Sequence, residues 1–150
     1  MKVLVSACII AAFCVVESLQ STPHNPCKDG PAPKDLRVVG CETTPCNIIR
    51  GSTMKAEWDF TAINDAKALT PRVRVTLGGV TIPYRYPEQD ACKSLVKGDC
   101  PLEKDEQATY GLNMPIEKSY PPVALKIEFA LLDENEKVHV CFSINGKVTS

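Results

Sequence analysis

The stretch "VALKIEFALLDENEKVHVCFSI", residues 123 to 144, decides the fold of this chain. Each half places an apolar residue at every second position, and the acidic run "DENE" between the halves indicates a turn. A period of two brings alternate side chains to one face of a β-strand. The stretch therefore predicts a hairpin of two strands that each bury one face, with His139 on the opposite, solvent-facing side. The apolar positions are Val123, Leu125, Ile127, Phe129, Leu131, Val138, Val140, Phe142 and Ile144.

The same alternation recurs earlier in the chain. It is present in "MKAEWDFTA" (54–62), in "RVRVTL" (72–77) and in "YGLNMPI" (110–116), and a weaker strand runs through residues 36–38. Gly78-Gly79 predicts a tight turn between "RVRVTL" and the following "VTIPY". A sustained helical period is missing after the first twenty residues. At least six short strands separated by turns are typical of an all-β sandwich or barrel.

The beginning of the chain predicts a secretory signal peptide. Lys2 precedes an uncharged, mostly apolar run at 3–16, and the small residues of "ESLQS" then suit a cleavage site. The run is shorter than the roughly 20 residues that span a bilayer. We therefore expect a signal peptide at residues 1–18, one domain at 19–150 and an exported protein.

Six cysteines remain after the predicted signal peptide, an even number that indicates disulfides in an oxidising compartment. Neither of the two close pairs, 41/46 and 92/100, has the C-x-x-C spacing of a zinc or redox site. Their proximity suggests two local bridges, which leaves Cys27 to pair with Cys141, although six cysteines allow 15 connectivities. The six are Cys27, Cys41, Cys46, Cys92, Cys100 and Cys141.

The sequence contains little evidence for a catalytic or metal-binding site. A net charge of −1 argues against a nucleic-acid partner, which requires a concentrated basic surface. An EF-hand beginning at Asp133 fails, because Val138 stands where glycine is needed and Ile144 where glutamate is needed. We expect no enzyme, no cofactor and no metal. Alternation alone does not distinguish a packed core from a ligand cavity.

The order of motifs resembles the ML lipid-recognition domain family, in particular its secreted Niemann–Pick type C sterol-transfer branch with its invertebrate relatives. The resemblance covers residues 24–148 and is carried by "GCETTPCNIIRG" (40–51), "GGVTIPYRYPEQDACKS" (78–94) and the segment from Pro115 to Pro121. It implies an immunoglobulin-like β-sandwich of two antiparallel sheets, an internal lipid cavity and the disulfides 27–141, 41–46 and 92–100.

The resemblance also implies a set of lipid-contacting residues. Phe129 and Phe142 stand where the sterol-transfer branch has tryptophans, and Met54 stands in place of a pocket tyrosine. Polar specificity is expected from the tyrosines at the rim, with Tyr84, Tyr86 and Tyr120 as candidates. The implied lipid-binding residues are Met54, Trp58, Phe60, Ile82, Tyr84, Pro115, Ile116, Tyr120, Phe129 and Phe142.

The implied function is a secreted, soluble and monomeric carrier that binds sterol and transfers it to membranes or to a membrane transporter. The alternatives are a carrier of fatty acids or small hydrophobic semiochemicals, and an innate-immune adaptor that recognises microbial lipid. The chain has no N-x-[ST] sequon, the glycosylation signal through which a lysosomal relative is sorted. Extracellular fluid is therefore expected, and the lysosomal lumen is the alternative.

Overall fold

The computed structural model describes residues 20–150, so the predicted signal peptide lies outside the described residues. Over this range the chain forms ten strands and one 3-10 helix, Ala91–Ser94. The strands are β1 (Asn25–Pro26), β2 (Asp35–Val38), β3 (Cys46–Ile49), β4 (Thr53–Thr61), β5 (Leu69–Leu77), β6 (Val80–Tyr84), β7 (Leu95–Lys97), β8 (Gln107–Pro115), β9 (Ala124–Asp133) and β10 (Val138–Thr149).

The strands of the described region form two sheets that pack face to face. The larger sheet has the order β1-β10-β9-β5-β6, with β3 also paired to β10, and the smaller has the order β2-β4-β8-β7. Pairing is antiparallel except between β3 and β10, which run parallel. The predicted all-β, immunoglobulin-like sandwich is confirmed, and this parallel pair is its one departure from two purely antiparallel sheets.

Strands β9 and β10 form the hairpin predicted for residues 123–144. Phe142 lies opposite Phe129 and Ile144 opposite Ile127, so the apolar positions of both strands share the inner face. The predicted Gly78-Gly79 turn joins β5 to β6, and both glycines have positive φ, as a two-residue hairpin turn demands. The register of the hairpins thus places the alternating apolar residues between the two sheets.

The prediction that His139 faces solvent is wrong. Val138 pairs with Leu132 and Val140 with Leu131, so β10 has one extra residue at His139 and forms a β-bulge. A bulge re-aims the side chain at the extra position. His139 is fully buried, with Nε2 2.8 Å from the Asp133 carboxylate and Nδ1 accepting the Ile63 N–H at 3.1 Å. These partners indicate a neutral imidazole that carries its proton on Nε2.

Three disulfides join the pairs 27–141, 41–46 and 92–100, as expected. The first bridge ties the N-terminal arm to β10 across a sequence separation of 114 residues. The second closes the loop that leads into β3. The third joins the 3-10 helix to the segment after β7. Disulfides of this kind stabilise a fold mainly by restricting its unfolded state, and more so for long loops.

The 3-10 helix is short and locally stabilised. The Asp90 side chain accepts a hydrogen bond from the Cys92 N–H at 3.1 Å and so caps its first turn.

In the part of the chain described, no helix has the length and apolar character needed to cross a membrane.

Candidate functional site

One region of the interior is filled by aromatic rings. Trp58 of β4 lies opposite Tyr110 of β8, and Phe129 of β9 lies opposite Phe142 of β10. The Trp58 ring centroid is 4.6 Å from that of Tyr110, 4.9 Å from that of Phe142 and 5.6 Å from that of Phe129. All four side chains are buried. We call these four residues the aromatic block; their rings span the gap between the sheets and leave it closed.

The next inward positions toward one end of the sandwich carry only aliphatic side chains. In the larger sheet, Val75 of β5 lies opposite Ile127 of β9 and Ile82 of β6. Branched aliphatic side chains are shorter than aromatic rings and do not reach the opposite sheet. A cavity of about 220 Å³ lies there, and its wall exposes only apolar surface. We call it the main cavity.

The exposed residues of the cavity wall are Ile82 of β6 and Pro121 of the segment that follows β8, so we place the mouth of the main cavity between these two elements. The Tyr84 and Tyr120 hydroxyls are 3.0 Å apart and hydrogen-bond to each other, which joins strand β6 to this segment. Burial, together with the hydrogen bond to Tyr120, raises the pKa of the Tyr84 hydroxyl, which therefore stays neutral at physiological pH. Ile82, 47 % exposed, and Val80, 62 % exposed, leave an apolar edge beside the opening.

Four of the ten predicted site residues come together around the main cavity. Ile82 and Tyr84 line it from β6, while Ile116 and Tyr120 line it from the segment after β8. All four are among the lipid-binding positions that the resemblance implies. The cavity therefore collects residues from two distant parts of the sequence.

The other six predicted residues lie elsewhere. Trp58, Phe129 and Phe142 belong to the aromatic block, and Phe60 is buried one inward position beyond it on β4. Pro115 is exposed at the end of β8. Contact of these residues with a lipid remains a prediction.

Met54 and Tyr86 also lie away from the main cavity. Met54 is half-buried and lines a second cavity, at the seam between β3 and the β2–β4 pair. Tyr86, a candidate for the polar rim, is buried instead, and its hydroxyl donates to the Asn113 carbonyl at 3.0 Å.

Sequence reasoning missed most of the cavity wall. The alternation had placed many of these residues on inner strand faces, but it gave no sign of which inner positions border empty space. Ile48 had no signal, because it belongs to β3, whose parallel pairing with β10 is remote in sequence. The missed residues are Ile48, Val73, Val75, Leu77, Met114, Pro121, Val123, Leu125, Ile127 and Val148.

The composition of the wall limits its chemistry. Among the described residues that line the main cavity, none is a carboxylate, an imidazole, a thiol or an amine. The buried Asp133–His139 pair lies at the β9–β10 turn and is not part of the wall. Such a wall can enclose hydrocarbon, and its two tyrosine hydroxyls can meet one polar group at the mouth.

Comparisons with known proteins agree with this architecture. The family model of the ML domain matches residues 21–148. The mouse (Mus musculus) protein "NPC intracellular cholesterol transporter 2" is 31% identical over 117 residues, which cover 78% of this chain and 77% of that protein. The Drosophila melanogaster "NPC intracellular cholesterol transporter 2 homolog a" is 32% identical over 116 residues, covering 75% and 77% of the respective chains.

A solved structure shows the same fold. The crystal structure of a Niemann-Pick type C2 protein from Japanese carpenter ant superposes with a TM-score of 0.73 at 23% identity, covering 88% of this chain and 99% of that one. Since the ML-domain model matches most of the sequence, and two sequence relatives exceed 30% identity over about three quarters of it, this chain belongs to the ML domain family.

Proposed function

We propose that this protein is a secreted lipid carrier that binds one sterol-like molecule in the main cavity and transfers it to a membrane or to a membrane transporter. The observation that carries the proposal is an internal cavity with a wholly apolar wall and two hydrogen-bonded tyrosine hydroxyls at its mouth. A sterol has the matching chemistry, since it is a rigid hydrocarbon with one hydroxyl. The relatives named as cholesterol transporters support the same ligand class.

The driving force is burial of hydrocarbon, without covalent chemistry. Each Å² of apolar surface removed from water contributes about 25 cal/mol, so a ligand that buries a few hundred Å² gains several kcal/mol. Loss of the ligand's translational and rotational freedom offsets part of this gain. A wall without charged groups suits reversible binding, as a carrier must release its ligand at the acceptor.

The size of the cavity favours a second candidate, a carrier of fatty acids or of other slender hydrophobic molecules. A volume of about 220 Å³ lies below the roughly 300–1,000 Å³ of ordinary ligand pockets. A single acyl chain needs less width than a sterol ring system. A sterol would have to part β6 from the segment after β8, where the Tyr84–Tyr120 hydrogen bond holds them together.

Apolar surface beside the mouth supports the proposed transfer of the ligand to a membrane or to a transporter. Val80 and Ile82 expose apolar surface beside the opening, where a lipid bilayer or the apolar entrance of a transporter could receive the ligand. We place the protein in extracellular fluid as a monomer, with the lysosomal lumen as the alternative compartment.

The proposal is tested by finding which lipid the protein retains. The protein is incubated with a total lipid extract, repurified and analysed by mass spectrometry, and we expect one sterol per chain. Recovery of fatty acid alone would replace the first candidate by the second, and recovery of neither would overturn both.

Matched variants locate the retained lipid. Val75→Phe places a ring in the main cavity and should abolish retention, whereas Val96→Phe, on the exposed face of β7, should not alter it. Equal retention by both variants would place the ligand outside the main cavity.

A further inference from the structure

A second cavity, of about 250 Å³, lies beside the main cavity at the edge of the sandwich. It occupies the seam where β3 of the larger sheet meets β2 and β4 of the smaller one. Its inner wall includes Val38, Met54 and the buried Cys41–Cys46 disulfide. Its outer rim is mixed, with polar side chains beside the exposed Val39 and Ile49. We call it the seam cavity.

The side chain of Ile48 lies in the wall of both cavities. Ile48 is 3% exposed and reaches over Gly146 of β10, where an added Cβ would stand only 2.6 Å from its Cδ1. Glycine at position 146 therefore gives the Ile48 side chain its place between the two cavities. Among the described residues, Ile48 is the one that lines both cavities.

In the smaller sheet, two neighbouring methionines line different cavities. Met54 of β4 and Met114 of β8 are directly opposite in register, so their side chains project from the same face. Met54 lines the seam cavity, while Met114 lines the main cavity. Methionine is unbranched and adapts its rotamer easily. Side-chain rotation at Ile48, Met54 and Met114 could therefore connect the two cavities while the strands stay in place.

We propose that the seam cavity is a second compartment of the ligand site, which receives the distal end of a hydrocarbon chain too long for the main cavity. This inference rests on the proposed function and deepens it. The polar end of the ligand stays at the Tyr84–Tyr120 pair, and the tail passes Ile48 into the seam. Together the two cavities reach the volume of ordinary ligand pockets, which neither does alone.

A chain-length series tests the connection. The affinities of saturated fatty acids from octanoate to octadecanoate are measured by displacement of a fluorescent fatty acid. If the tail continues into the seam, each added methylene should tighten binding up to about fourfold along the whole series. An affinity that stops rising in the middle of the series would overturn the proposal.

A larger side chain at position 48, between the two cavities, provides a second test of the connection. Ile48→Phe should weaken octadecanoate binding at least tenfold, and by more than it weakens octanoate binding, because only the longer chain has to pass Ile48. Ile63→Phe, at a partly exposed isoleucine outside both walls, is the matched control and should change neither. Equal octadecanoate affinity in the wild type and Ile48→Phe would contradict the proposal.

Photolabelling of the wild-type protein tests without any variant whether the ligand tail enters the seam cavity. It therefore gives an answer even if Ile48→Phe does not fold. A long-chain fatty acid with a diazirine at its terminal carbon is bound and photolysed, and the adducts are mapped by mass spectrometry. We expect adducts at Val38 or Met54 in the seam cavity. Adducts confined to Met114 and Ile127 would overturn the second compartment alone, whereas failure of every fatty acid and sterol to bind would overturn the proposed function too.

Discussion

The aromatic block and the main cavity occupy neighbouring parts of one sandwich, yet one is closed and the other hollow. Both take residues from the same strands, β8, β9 and β10, with the same alternation of inward and outward residues. They differ in the length of the inward side chains, since rings at Trp58 and Phe129 give way to branched aliphatics at Val75 and Ile127. A sandwich can therefore hold its sheets apart with aromatic residues in one region and leave a binding space in the next.

The largest expected effect concerns the aromatic block. Trp58→Ala should lower the free energy of unfolding by about 3–5 kcal/mol, because it removes a buried ring that packs against three others. Ile82→Ala, at a half-exposed residue of the cavity mouth, should change it by less than about 0.5 kcal/mol. Denaturant unfolding measures both. Similar losses in the two variants would show that the block does not carry more stability than the mouth.

The next prediction compares two positions on the inner face of β9. Leu131→Phe adds volume where the core is packed and should cost about 1–3 kcal/mol of stability. Ile127→Phe adds similar volume beside the main cavity, which can accept it, so we expect a smaller cost of below about 1 kcal/mol. Thermal and denaturant unfolding of the two variants measure these costs. An equal or larger cost at Ile127 would mean that the cavity is not available space.

Lowering the pH should reduce the free energy of unfolding before it changes the affinity of the main cavity for its ligand. Burial opposes ionisation of Asp133, but hydrogen bonds from His139 and from backbone N–H groups of Lys137 and Asn135 outweigh it and keep the pKa of its carboxyl below the ordinary value. A pKa lowered by folding stabilises the protein above the unfolded-state value of about 3.9, and this contribution is lost as the pH falls below it.

Stability against pH therefore separates the framework from the cavity. We expect the free energy of unfolding to decline below about pH 4 in the wild type and to decline less steeply in Asp133→Asn, with exposed Asp99→Asn behaving as the wild type. Sterol affinity should stay constant between pH 5 and pH 7, since no carboxylate or imidazole lines the main cavity among the residues described. Parallel decline of Asp133→Asn and wild type would refute the role given to Asp133.

The smallest effect is expected at the mouth. Tyr84→Phe removes one hydroxyl of the pair and should weaken the binding of a sterol about three- to tenfold, the value of one hydrogen bond, with little change in stability. Tyr86→Phe removes the hydrogen bond to the Asn113 carbonyl and should lower stability by about 1 kcal/mol without changing affinity. Fluorescence titration and unfolding compare them. Unchanged affinity in Tyr84→Phe would remove the tyrosine pair from ligand recognition.

Local patterns predicted much of the fold, because alternation and turn residues act over short distances. The β9–β10 hairpin, the Gly78-Gly79 turn and the two close disulfides are of this kind. His139 escaped prediction because a bulge shifts the alternation by one residue, and nothing in "KVHVCF" marks that shift. Ile48 escaped because its neighbour β10 is remote in the chain.

The candidate site was predictable only in part, for a related reason. A period of two tells which residues face inward, but whether they meet the opposite sheet depends on the sizes of residues from several strands at once. The family resemblance implied that Trp58, Phe129 and Phe142 contact the lipid. In the structure their rings pack against one another in the aromatic block. The position of Ile82, Tyr84, Ile116 and Tyr120 around the cavity agrees with the family resemblance, which carries three-dimensional information that periodicity lacks.

The central claim is that the hollow between the sheets holds one lipid molecule, and Trp58 offers a direct measurement. It is the only tryptophan of the chain, and it packs against Phe129, whose strand neighbour Val73 lines the main cavity. Titration with a fluorescent sterol should therefore quench Trp58 by energy transfer, saturate at one sterol per chain, and fail in Val75→Phe but not in Val96→Phe. Absence of saturable quenching in the wild type, or equal quenching in both variants, would contradict the account.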